Sequence, residues 1–93
     1  MATIAILRHN GKELVIKGLR THSIAEVLCK ELRDILLSKD LSLNFFFEGE
    51  LGPKGKGMVV RVIFNRGLSK YEVVTLEKLF NVMGIKLISE LPT

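Results

Sequence analysis

The sequence predicts an α+β domain, a single antiparallel sheet with two helices packed on one of its faces. Three observations predict it. An Asn-Gly turn joins two apolar runs near the N-terminus. Two later segments, Leu41–Glu48 and Met58–Asn65, alternate with the period of two that belongs to half-buried strands. Two further segments carry apolar residues at helical spacing, each opened by a Ser-x-x-Glu pattern. The chain has 93 residues, read as one domain over 1–93 with no repeat and no linker.

The elements follow in order. Thr3–Leu7 and Glu13–Lys17 form a hairpin, because Asn10-Gly11 tolerates the positive φ angles of a tight turn. Ser23 and Glu26 match a capping box opening a helix to about Ser38, with Ile24, Val27, Leu28, Leu32, Ile35 and Leu36 on its apolar stripe. Ala25, Cys29 and Leu37 widen that stripe beyond the arc one sheet face needs. In the next strand Leu41, Leu43, Phe45 and Phe47 share a face, opposite Ser42, Asn44, Phe46 and Glu48. In its partner Met58, Val60, Val62 and Phe64 oppose Val59, Arg61 and Ile63. Between them runs a long Gly- and Lys-rich loop through Lys54 and Lys56. Ser69 and Glu72 match a second capping box, with Leu68 and Val73 placed as a hydrophobic staple. Its helix carries Val73, Leu76, Phe80 and Met83 and stops at Gly84. Ile85–Ile88 is a candidate last strand. The order is ββαββα, with or without a final β. Without the first strand it is the ferredoxin-like plan, and without the last it is a four-stranded sheet under two helices.

Composition narrows the function class. Net charge is +4, which permits nucleic-acid or acidic-protein partners without demanding them. The single cysteine excludes an internal disulfide framework and a cysteine-rich zinc site, and fits a reducing, cytoplasmic setting. No signal peptide pattern opens the chain, and no run reaches the ~20 apolar residues of a membrane helix. His9 and His22 have no ligand at metal spacing, so neither metal nor cofactor is expected. Cys29 falls near the apolar side of a helix, where a thiol is usually inert, and no carboxylate pair is positioned for acid–base work. No residue is left to carry an enzyme.

From Glu13 to about Met83 the chain resembles the small assembly subunit of archaeal and eukaryotic RNA polymerases, subunit L in archaea. The strand Glu13–Gly18 leads into His22-Ser23-Ile24-Ala25-Glu26-Val27-Leu28, where that family opens its first helix with a motif of the type His-Thr-Leu-Gly-Asn-Leu. The strand from Val59 to Phe64 leads through Asn65-Arg66-Gly67-Leu68 to Ser69, where the family has a polar residue and Gly before a Ser- or Pro-initiated helix. The chain departs from the family at Ala25-Glu26 for its Gly-Asn, at Arg66 for an acidic residue, and around Pro53 for a Pro-His-Pro segment. The resemblance implies a non-catalytic subunit that pairs with a similar fold, helix layer against helix layer.

Two sets of surface residues stand out. A protein interface is expected on the helix layer, through Ile24, Val27, Leu28, Cys29, Val73, Leu76 and Phe80. A nucleic-acid surface would use Phe46 and Arg61 on the open sheet face, with Lys54, Lys56, Arg66 and Lys70 as phosphate contacts. The apolar open face is also a surface a protein would cover. The function expected is therefore an assembly or adaptor subunit of an intracellular, nucleic-acid-processing complex such as the transcription machinery. Its partner would be another subunit or a second copy in a homodimer. Direct binding of single-stranded RNA or DNA is the alternative.

Overall fold

The computed structural model describes residues 3–50 and 57–90. Lys54 and Lys56 lie outside them. The described chain runs β1 (Ile4–Arg8), β2 (Glu13–Leu19), α1 (His22–Ile35), β3 (Leu43–Glu50), β4 (Gly57–Phe64), α2 (Lys70–Met83) and β5 (Lys86–Ser89). It is an α+β fold with one sheet, in the order β3-β4-β2-β1-β5. The last strand does join the sheet. It pairs with β1 in parallel, so the sheet is mixed while its other pairs are antiparallel. Placing β1 between β2 and β5 gives the ferredoxin-like plan one inserted strand.

Local chemistry explains most of the boundaries. The β1–β2 turn has His9, Asn10 and Gly11 all at positive φ, and Lys12 donates its backbone N–H to His9 at 3.1 Å. Asn10 and Gly11 thus sit at the two central positions that a hairpin turn of this hand reserves for Asn and Gly. The α2 capping box forms as expected. The Glu72 amide donates to Ser69 Oγ at 3.2 Å, and Glu72 Oε1 accepts from the Ser69 amide at 2.8 Å. Gly84 ends α2 in the left-handed conformation.

The start of α1 differs from expectation. Thr21 is the cap, its Oγ1 accepting from the Ile24 amide at 3.1 Å, so the helix begins at His22 and the Ser23–Glu26 box is not used. The end differs too, with Leu36 as the C-cap rather than Ser38. The buried face of α1 is Ala25, Leu28, Cys29 and Leu32. Starting at Thr21 lets the chain turn from buried Leu19 into the helix at once and brings that face onto the sheet.

The core lies between the helices and one sheet face. Ala5, Leu7, Leu14, Ile16, Val60, Val62 and Phe64 rise from the strands to meet Leu28, Leu32, Leu76 and Phe80. The other sheet face has no layer over it among the described residues, and that is what positions the site.

Candidate functional site

Pairing register places the outward side chains of all five strands in rows across the open face. The central row is Ile88, Ile6, Val15, Arg61 and Phe46, one from each strand, in the order β5-β1-β2-β4-β3. On one side of it Lys86, Ile4 and Lys17 lie abreast, continued by Val59 and Glu48 beyond an irregularity in β2 between Ile16 and Leu19. On the other side lie Arg8, Glu13, Ile63 and Asn44. An antiparallel sheet with one solvated face usually alternates apolar-in, polar-out. Here the outward positions are apolar over much of the middle, with Phe46 51% and Ile88 39% exposed. Val15 is the exception in that it is buried by its neighbours.

The two arginines of this face are paired in place, and among the described residues its two lysines are not. Arg8 Nε donates to Glu13 Oε1. Arg61 reaches Glu48 at 3.6 Å, across the strand pair from Phe46. The Arg61 Nε is buried and has no hydrogen-bond partner. Lys17 and Lys86 flank Ile4 and are exposed.

The helix layer offers less than its stripe promises. Leu28, Cys29, Leu76 and Phe80 are buried in the chain's own core, so none of the four can meet a partner. They close the space between α1, α2 and the sheet. Val73 is partly buried against the same core. Ile24 and Val27 remain, 43% and 54% exposed, and with Ser23 and Met83 they line an apolar hollow of about 230 Å³. Burial pushes the Cys29 thiol above its ordinary pKa, the charge of Arg33 opposing that weakly, so the thiol stays protonated and inert.

The residues expected to contact nucleic acid do not converge. Phe46 and Arg61 are neighbours as expected, and Lys70 is exposed at the start of α2. Arg66 is committed elsewhere. It donates to Asp40 at 3.0 Å and to Glu72 at 2.7 and 3.0 Å, and its Nη1 also reaches the Gly67 carbonyl. Its bonds to Glu72 and then Asp40 push the guanidinium pKa up. In return Arg66, with help from the Ser38 hydroxyl, holds Asp40 down to about 2. Glu72 is lowered, chiefly by Arg66. Asn65 beside it accepts from the Ser42 amide at 2.7 Å and donates to the Asp40 carbonyl at 2.8 Å. Asn65 and Arg66 therefore clasp the entry to β3 onto the start of α2, a structural task that occupies the Arg66 guanidinium and keeps it from a phosphate.

Sequence reasoning missed Ile4, Ile6 and Ile88, which complete the apolar rows. The available signal was that Thr3–Leu7 is apolar at both phases of its alternation, as a strand exposed to apolar contact on both faces would be. Among the described residues no group of three or more His, Cys, Asp or Glu side chains is placed to hold a metal, and no helix is long and apolar enough to cross a membrane. Compared with protein-family models, curated proteins and solved structures, the chain matches none.

Proposed function

We propose that the chain is a non-catalytic assembly module that binds another protein through the open face of its sheet. The observation that carries this is the set of apolar residues, Ile4, Ile6, Val59, Ile63, Phe46 and Ile88, spread over four of the five strands, with buried Val15 of β2 between them, on a face with no layer above it among the described residues. Phe46 and Ile88 are exposed and Ile4, Ile6, Val59 and Ile63 half-buried, and apolar surface gathered on one face and rimmed by charge is the mark of a protein contact. The rim is present in Arg8, Glu13, Lys17, Lys86 and Glu48. The hollow beside Ile24 and Val27 supplies a second, smaller surface on the helix side. Membership of an intracellular, nucleic-acid-processing complex is supported by the basic charge and by the resemblance to RNA polymerase subunit L.

The test is retention of partners from native lysate, with and without nuclease, by the wild-type chain and by Ile6→Glu and Ile63→Glu variants whose circular dichroism is unchanged. Partners that survive nuclease and are lost by both variants are expected. Partners held equally by wild type and variants would remove the sheet face from the proposal. A second reading, binding of single-stranded nucleic acid, is favoured by one observation: Phe46 and Arg61 lie side by side as a stacking ring and a cation. It predicts affinity for an oligonucleotide that falls steeply with salt. No anisotropy change at low salt ends it.

A further inference from the structure

β3 is an edge strand of eight residues, Leu43–Glu50, hydrogen-bonded within the sheet only to β4. Proteins normally guard such an edge with charge, proline or a very short strand. From Leu43 to Phe47 this one has no charge and no proline. Phe46 and Phe47 are 51% and 47% exposed, and alternation sends them to opposite faces of the sheet. A partner lying on one face covers only one of them. A strand added alongside covers both.

The side chains nearest Phe46 match in chemical class on either side. Phe45 and Phe47 flank it, then the polar pair Asn44 and Glu48, and the match ends beyond them at Leu43 and Gly49. We infer that a second copy of this chain adds to the edge, antiparallel, with a two-fold axis at Phe46, joining two sheets into one. Phe46 then faces its own mate, and each Phe45 faces the mate's Phe47, the aromatic pairing that stabilises adjacent strands. Each Asn44 amide faces the mate's Glu48 carboxylate. A parallel pairing would instead stack Glu48 on Glu48, which selects the antiparallel register. The helix above does not obstruct the approach by charge. Arg33 sits over the Phe45 ring at 4.8 Å and His22 is 6.5 Å from the Phe47 ring, ring centre to ring centre. Glu26 and Lys30 fall on the same helical stripe, so the overhang holds both signs. Such a contact is isologous and closes on itself. It uses the sheet edge and, of the apolar residues, shares only Phe46 with the partner proposed for the open face.

Sedimentation equilibrium from low micromolar to millimolar concentration tests it. The wild-type chain is expected to dimerise. Asn44→Lys, which sets a cation against the mate's Glu48, is expected to tighten the dimer about tenfold, and Asn44→Glu to weaken it about tenfold, each change acting twice across the axis. Phe46→Lys, at an exposed position, is expected to leave the circular dichroism unchanged and the chain monomeric. A wild-type chain that is monomeric throughout overturns the inference. So does a dimer that survives Phe46→Lys, or one that Asn44→Lys and Asn44→Glu shift in the same direction or not at all. Loss of this dimer leaves the open-face proposal to its own lysate experiment.

Discussion

Gly67→Ala is the most informative single perturbation, because Gly67 stands where the loop into α2 crosses the β1–β2 turn. A Cβ at this position would come within 2.4 Å of the Asn10 carbonyl oxygen. To restore ordinary van der Waals separation the two backbones must part by roughly 1 Å. That movement pulls on the Leu68 amide, which donates to the Gly11 carbonyl at 3.1 Å, and on the turn bond from Lys12 to His9, also at 3.1 Å. Two backbone hydrogen bonds weakened or lost amount to about 1–3 kcal/mol. Gly84→Ala is the control. Gly84, unlike Gly67, has a positive φ, +71°, but a Cβ there meets nothing within 4 Å, so the cost is the left-handed backbone alone, about 1 kcal/mol. Urea unfolding measures both. With a slope of roughly 1 kcal/mol/M for a chain of this size, Gly67→Ala is expected to lower the midpoint by about 1–3 M. If it lowers the midpoint no further than Gly84→Ala does, the close approach does not constrain the fold and the reasoning fails.

Two other predictions concern capping and charge. Thr21→Ala removes the observed α1 cap and should cost about 1 kcal/mol in urea unfolding, whereas Ser23→Ala should be close to neutral; the reverse order would restore the cap read from the sequence. Asp40 and Glu72 have folded pKa values below their ordinary ones, so the stability they contribute is present above the unfolded carboxylate range and is lost as pH falls. For Asp40 the window runs from 3.8 down to about 2. Arg66→Gln should flatten the fall in stability with acid across that window, and a variant as acid-sensitive as wild type would show that Arg66 is not the cause.

What was legible in the sequence follows the range of the interactions involved. The α2 cap, its stop at Gly84 and the Asn10–Gly11 turn rest on contacts within a few residues, and each forms as read. The alternation of β3 and β4 was legible because burial has a period of two whatever the neighbouring strand. The α1 cap was misread because Thr21 and Ser23 are both good caps and only the tertiary placement of Leu19 and Ala25 chooses between them. Strand order was not legible, since nothing local says that β5 returns beside β1. Nor was the commitment of Arg66, whose Asp40 partner lies 26 residues away.

Arg66 also bears on the resemblance to polymerase subunit L. Asn65-Arg66-Gly67-Leu68-Ser69 is its clearest match after β4, and here every member has a structural task. Asn65 and Arg66 tie to Asp40 and Ser42, Gly67 passes against Asn10, buried Leu68 hydrogen-bonds to Gly11, and Ser69 caps α2. A segment that any chain with this crossing would need is weak evidence of shared partners. The helix-to-helix pairing that the resemblance implies also loses Leu28, Cys29, Leu76 and Phe80 to the core, keeping Ile24 and Val27. The surface left for a proposed partner is therefore chiefly the open face of the sheet. Its apolar outward residues have no role in the chain's own core, and the arginines that would turn the same face toward a phosphate backbone, Arg8 and Arg61, are already held by Glu13 and Glu48. A partner that buries Ile6, Ile63 and Phe46 gains apolar contact without breaking those pairs, whereas a nucleic acid would have to displace a carboxylate to use either arginine and would otherwise meet Lys17 and Lys86, which flank Ile4 away from Phe46.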